Sequence, residues 1–248
     1  MSPRKKAPKR PTPVTAPPDF PHPFVTVDVA LVTVADGMLR VLLHRRPEAP
    51  ARGTWALPGG FVDVDESLDA AAERILREKA GLPGVFLEQL YTFGAPGRDP
   101  RTRIITVAYY ALVDHDRIRA TFEARDNTCL AGIAVPWPGE NGGPIDAIAD
   151  SGESIPLAFD HEDILSMVVK RLRGKLNYAP IGFQLLPRQF TLRTLQTVHE
   201  TILGTTLNKD SFRRRMLASG QLAPTNKHEK EVGHRPAELY RFIDKSAV

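Results

Sequence analysis

The sequence predicts a mixed α/β domain, α+β in the order of its elements, followed by a small basic module of helices and short strands. Three observations predict this. Two β-rich runs, "FVTVDVALVTV" and "MLRVLLHRR", flank Asp36-Gly37, a dipeptide that favours a tight hairpin turn. A segment of helical periodicity and another strand-like run, "RIITVAYYALV", come next. The chain then ends in two helical runs and two short strand-like pieces that carry a surplus of positive charge.

The totals agree with such a chain. Its 248 residues suffice for one large domain or two modest ones, each with a core. A hydrophobic content of 42% with 25% charged residues is ordinary for a globular protein in water. There is no apolar run long enough to span a bilayer and no signal-peptide core at the N-terminus, so the expectation is a cytoplasmic protein without a membrane partner. The single cysteine, Cys129, excludes an internal disulfide framework and a cysteine-based zinc site, and reads as a small packed residue. Charge is divided unevenly. Residues 1–23 hold five Lys/Arg against one acid, residues 24–183 seventeen against twenty-two, and residues 184–248 eleven against six. Basic ends suit a polyanion, and the acidic middle suits something else.

Taken in order, residues 1–23 are rich in Pro, Lys and Arg and read as a disordered arm: a solvated tail first, a phosphate-tracking arm second. Order begins at Phe24 with the hairpin. The helix predicted over Glu66–Ala80 places Leu68, Ala71, Ala72, Ile75 and Leu76 on one side, and Gly81 suits a left-handed C-terminus. The Gly-, Pro- and Asn-rich stretch from Pro136 to Pro156 reads as loop. A helix starts at Asp160, which can cap it; Glu162 and Asp163 favour its positive end, and Lys170, Arg171 and Arg173 its negative end. "NYAPIGFQLLP" reads as a connector into "LRTLQTVHETIL" and "KDSFRRRMLAS", which are joined by the turn Gly204–Leu207. Strand-like pieces around Leu222–Thr225 and Glu238–Phe242 flank a basic loop. The expected divisions are 1–23, a domain at 24–159, a connecting helix and linker at 160–185, and a terminal domain at 186–248. No internal repeats are visible.

Gly60, Glu66, Arg74, Leu76, Glu78, Gly81 and Leu82 fall at the spacings of one long signature, preceded by "GTWALPGG". This segment resembles the signature of the Nudix family, and the resemblance covers roughly Phe24 to Phe159. It implies an αβα sandwich with a mixed sheet. Two positions depart from the signature: Ile75 and Lys79 stand where the family has glutamates. On a helix, residues 75, 78 and 79 share one face, which in a working enzyme offers carboxylates to Mg²⁺. One carboxylate, one hydrocarbon and one ammonium do not make that site, so no catalytic residue, no bound metal and no required cofactor is expected. A plain exposed helix face is the bland alternative for Glu66, Glu78 and Lys79. Lys79 is a candidate to meet a ligand phosphate in place of the metal.

"PGRDPRTR" supplies Arg98, Asp99, Arg101 and Arg103, either a solvated loop or a set suited to phosphates and ribose hydroxyls. Within the Nudix family this segment resembles ADP-ribose-recognising members. Arg46, beside Arg45 at the end of the second strand, is a weaker candidate for a diphosphate. The C-terminal run resembles a winged helix-turn-helix. Arg213, Arg214 and Arg215 lie on its second helix with Lys209 near the start, and Lys227, His234 and Arg235 lie in its wing. Successive residues are about 100° apart, so the three arginines cannot all face one groove. The competing reading is a helical tail at a dimer interface.

The combination, spanning about Phe24 to Phe242, resembles the Nudix-related transcriptional regulators of NAD metabolism. It implies a homodimeric repressor of NAD biosynthesis or salvage genes, bound to double-stranded operator DNA and released by ADP-ribose. Two alternatives stand beside it: an ADP-ribose pyrophosphatase with residual activity and a basic accessory domain, and a Nudix-like regulator of sugar metabolism.

Overall fold

The computed structural model describes residues 22–122, 127–176, 178–230, 233 and 235–243. Nearly all of the basic arm and His234 lie outside the described residues. The sheet strands in chain order are β1 (Phe24–Ala35), β2 (Met38–Arg45), β3 (Trp55–Ala56), β4 (Gly59–Phe61), β5 (Phe86–Phe93), β6 (Ile104–Leu112), β7 (Thr128–Ala134) and β8 (Asp146–Ile148). The helices are α1 (Leu68–Ile75), α2 (His115–Phe122), α3 (His161–Lys175), α4 (Leu192–Leu203) and α5 (Lys209–Ala218).

The predicted hairpin forms. Asp36 and Gly37 both take left-handed φ, 53° and 71°, and Ala35 pairs with Met38, the geometry of a two-residue turn that follows the strand twist. β1 is central: it pairs antiparallel with β2 and β4 and parallel with β6. The main path of the mixed sheet runs β5-β6-β1-β2-β7-β8. On one face, Val27, Val29 and Leu31 pack on Ala71, Ala72 and Ile75 of α1 and Ile118 of α2. On the other, Ala30, Val32 and Tyr110 meet Ile164, Leu165, Val168 and Leu172 of α3. This is the αβα sandwich, with α3 as its second outer layer rather than a bare connector.

Two local expectations are corrected. The stretch 136–156 is not all loop: β8 pairs with β7 and buries Ala147, but three residues are too short for alternation to show against the surrounding Gly and Pro. The single helix over 66–80 is divided. Ser67 caps α1, accepting a bond from the Ala70 N–H at 3.2 Å, and residues Leu76–Ala80 form a π-helical turn closed by Gly81 at φ 66°. The wider turn changes which side chains share a face.

The linker after α3 holds a 3-10 turn, Pro180–Leu185, whose Ile181, Phe183 and Leu185 are buried, and it is followed by α4 and α5 of the terminal domain. Strands β9 (Leu222–His228) and β10 (Glu238–Phe242) form an antiparallel ribbon, and the Phe190 backbone adds to it through Tyr240, with N–H to O distances of 3.0 and 2.8 Å. Its core is continuous with the α3 side of the sandwich. This is a winged helix.

Candidate ligand cleft and nucleic-acid interface

A cleft of about 200 Å³ opens where β1, the end of β2, β4, the π-helical turn and the start of α3 converge. Arg46, Lys79, Arg98, Asp99 and Arg101, all singled out from sequence, line it together with Asp28, His44, Phe61, Phe159 and His161. Glu66, Glu78 and Arg103 are not part of this lining.

Its floor is built around Asp28, a carboxylate inside an otherwise uncharged strand. Asp28 accepts a hydrogen bond from the Thr106 hydroxyl at 2.7 Å and lies 3.5 Å from the Arg98 guanidinium. Glycine is required opposite: a Cβ on Gly59 would stand 2.0 Å from the Asp28 carboxylate. His161 is buried, and its Nδ1 accepts from the Leu57 N–H at 2.9 Å, which places its own proton on Nε2, 3.7 Å from Asp28. Burial holds its pKa below the usual histidine value, so the ring is neutral. His44 is pushed to about 4 by burial and by the Lys79 charge, and its Nδ1 lacks a hydrogen-bond partner.

The cations around this floor are held. Lys79 donates to the Gly59 carbonyl, and burial lowers its pKa. Arg46 donates to the Pro50 carbonyl at 2.9 Å and lies over the Phe159 ring, 4.8 Å from its centroid. Arg101 grips the buried Asp99 by donating from Nε and Nη2 to its two oxygens, at 3.0 and 2.8 Å, and this pairing holds the Asp99 carboxyl below its ordinary range. Arg98 donates to both oxygens of Asp160, at 2.8 and 2.6 Å. Asp160 precedes α3, but its side chain makes no capping bond, because Arg98 holds the carboxylate. The expected cap is thereby corrected.

The helix face expected to unite residues 75, 78 and 79 is corrected too. Ile75 is 1% exposed and fills the space under Gly60, where an added Cβ would stand 2.8 Å from its Cδ1. Glu78 points outward toward Arg74 and Arg77, at 3.8 and 3.9 Å, while Lys79 turns into the cleft. Glu66 is clasped by Arg74 through two 2.8 Å bonds, which hold its pKa down. A divalent cation does not fit this arrangement of one core hydrocarbon, one ammonium and two carboxylates that already face arginines. Among the described residues, no group of three or more His, Cys, Asp or Glu side chains is placed to hold a metal ion.

The second surface lies on the winged helix. Asn208 caps α5 by accepting from the Ser211 N–H at 3.0 Å, and Phe212 and Met216 face inward. The turn before α5 is fixed by Gln196, which donates to the Leu207 carbonyl, and by Glu200, which accepts from the Leu207 N–H at 2.9 Å. Arg213, Arg214 and Arg215 are exposed, as are Lys209, Lys227 and Arg235. They do not share one environment. Arg215 lies over the Phe212 ring at 5.5 Å, whereas the helical step puts Arg214 opposite the Phe212–Met216 stripe.

Sequence reasoning passed over Asp28, Phe159, Asp160 and His161 as cleft residues. The signal for Asp28 was present: one charge in the middle of a buried strand run. Arg173 was also missed. It was expected only to favour the negative end of α3, yet it is 3% exposed and donates to the carbonyls of Ile202, Trp137 and Gly139 at 2.8, 2.8 and 2.9 Å. It ties α3 to the end of α4.

Comparison with known proteins places this geometry. The family model described as "NUDIX domain" matches residues 24–129, and that described as "NrtR DNA-binding winged helix domain" matches residues 182–242. The chain is 38% identical over 226 residues to the "ADPR responsive transcriptional repressor NtrR" of Acinetobacter baylyi, covering 90% of this chain and 84% of that one. It is 28% identical over 153 residues to the ADP-ribose pyrophosphatase of Methanocaldococcus jannaschii, covering 62% and 77%. The crystal structure of Shewanella oneidensis NrtR complexed with a 27mer DNA superposes with a TM-score of 0.75 at 35% identity, covering 88% of this chain and 93% of that one. With both domains matched in one arrangement along nearly the whole chain, the protein belongs to the NrtR family of Nudix-related transcriptional regulators.

Proposed function

We propose that this protein is an ADP-ribose-responsive repressor of NAD biosynthesis or salvage genes, acting in the cytoplasm as a homodimer on double-stranded operator DNA. One observation carries the reading. A cleft lined by Arg46, Arg98 and Arg101 has Ile75 and Lys79 in place of the metal-binding acids, and α3 joins that cleft directly to a winged helix. Such a site binds a diphosphate without supplying the metal that activates water. The relatives support it: the Acinetobacter protein is named for its response to ADP-ribose, and the Shewanella protein was crystallised on DNA.

In this reading Arg46, Lys79 and Arg101 meet the diphosphate and Asp99 a ribose hydroxyl, with Arg98 beneath them. Glu66, Glu78 and Arg103 flank the site. Arg214 enters the major groove, while Lys209, Arg213 and Arg215 reach groove edges or phosphates. Lys227 and Arg235 meet phosphate from the wing, with His234 beside them in sequence. A two-fold dimer holds two such helices about 34 Å apart or a multiple of that distance. The test is a mobility-shift titration on DNA from the protein's own gene neighbourhood, with and without ADP-ribose. Retarded DNA released by ADP-ribose is the expected result, and binding indifferent to ADP-ribose refutes the reading.

The likeness to the Methanocaldococcus pyrophosphatase favours a second reading, residual hydrolysis. Product analysis of ADP-ribose after long incubation with Mg²⁺ separates the two.

A further inference from the structure

Arg98 is the most enclosed cation of the cleft, its side chain 4% exposed, and its guanidinium is already engaged by an anion. That anion is the chain's own: both oxygens of Asp160, at 2.8 and 2.6 Å, with Asp28 farther away at 3.5 Å. Asp160 is also the residue at which α3 begins. Its carboxylate would ordinarily accept from the N–H of the second or third helical residue, Glu162 or Asp163, and here it makes no such bond. The residue before it, Phe159, has a left-handed φ of 58°, unusual for an aromatic side chain, and lies under Arg46. Phe159 and His161 both line the cleft. Thirteen residues along α3, Arg173 fastens the same helix to the Ile202 carbonyl at the end of α4. One rigid element therefore starts in the ligand site and ends on the DNA-binding domain.

We infer that Asp160 is a built-in competitor of the ligand: its carboxylate holds the place on Arg98 that a bound diphosphate takes. The inference rests on the reading of the cleft as the ADP-ribose site. A diphosphate beside Asp28, Asp99 and Asp160 adds negative charge where three carboxylates already stand, and Asp160 is the one with somewhere to go. On leaving Arg98 it caps α3, and the start of the helix resets about Phe159. The two carboxylate positions form a two-state element: the Arg98-bound position belongs to the DNA-binding form and the capping position to the released form. Asp160 thus acts as a positioning residue, not a ligand contact.

The test compares wild type, Asp160→Asn and Asp160→Ala, measuring ADP-ribose binding by calorimetry and operator binding by mobility shift. Removing the competitor should tighten ADP-ribose and weaken operator binding without ligand, each by a factor within the roughly 5- to 150-fold range of such couplings. A merely structural role for Asp160 would weaken both, and that result overturns the inference. So does a variant that binds ADP-ribose like the wild type and still releases DNA normally; in that case the functional reading above survives. If the wild type itself ignores ADP-ribose, both fall. Hydrogen exchange on the wild-type full chain guards against variants that do not fold. Saturating ADP-ribose should slow exchange of the Glu162 and Asp163 amides as they gain the cap, and unchanged exchange there overturns the inference.

Discussion

Replacing Arg173 with methionine tests whether α3 is one piece with the DNA-binding domain. Methionine keeps most of the length and apolar stem but removes every donor. Three carbonyls, those of Ile202, Trp137 and Gly139, lose a charged partner at 2.8–2.9 Å, and the Trp137 ring loses a cation 4.6 Å from its centroid. Hydrogen bonds to charged groups contribute about 1.5–3 kcal/mol each, so three sum to roughly 4.5–9 kcal/mol. Water entry and the recovered cost of burying a guanidinium offset part of this, leaving about 3–5 kcal/mol. At roughly 2–4 °C per kcal/mol for a chain of this size, the melting temperature falls by about 6–20 °C. Arg173→Lys should lie between the two, because a compact ammonium cannot span three acceptors on different segments. Urea unfolding followed by tryptophan fluorescence measures the effect, since Trp137 sits at the contact. A loss below about 1 kcal/mol for the methionine variant would refute the idea that this arginine fastens the two domains.

Other expectations follow from single contacts. ADP-ribose should not be turned over with Mg²⁺ or Mn²⁺, and Ile75→Glu with Lys79→Glu should destabilise the fold rather than restore hydrolysis, because Ile75 is 1% exposed beneath Gly60; product analysis and thermal melting decide both points. Arg214→Ala should weaken operator binding by about 1–3 kcal/mol, and Arg215→Ala by less, since Arg215 lies over Phe212; equal losses in a mobility shift at fixed salt would contradict the different placements. His199, buried edge-on against Phe212, has its pKa lowered to about 4 by burial and by Arg215. The unfolded chain takes up that proton near pH 6.5 and the folded chain only near 4, so stability is full above 6.5 and declines between those values as pH falls, by about 2–4 kcal/mol. His199→Asn should flatten that part of the pH–stability curve, and an unaltered slope would show that the ring titrates normally.

Much of the fold was legible because its signals are local. Asp36-Gly37 specifies a turn through two left-handed φ values, Gly81 and Gly204 end helices for the same reason, and Phe212 and Met216 mark the inner face of α5, whereas Leu217, which reads as a third core residue, is 44% exposed. The long Gly60–Leu82 pattern identified the sandwich and the exchange of its acids. β3, β4, β5, α2 and β7 went unread; β8 escaped because three residues carry too little periodicity, and the π-helical turn escaped because its residues fit an ordinary helix equally well. The cleft was half legible: "PGRDPRTR" announced Arg98, Asp99 and Arg101 as charges in one loop, but not which would face inward and which, like Arg103, would not line the cleft.

By itself, then, the sequence determined the order of its more strongly marked elements, the identity of both domains and the replacement of two acids by Ile75 and Lys79. Tertiary structure alone decided the partners. Asp160 reads as a helix cap until Arg98, 62 residues away, takes its carboxylate, and Arg173 reads as a charge favouring the negative end of α3 until Ile202 and Trp137 surround it. The physical reason is the same in both cases. A cap or a turn is settled by neighbours within four residues, whereas a buried charge is settled by whichever distant group satisfies it, and only the folded chain brings that group within 3 Å.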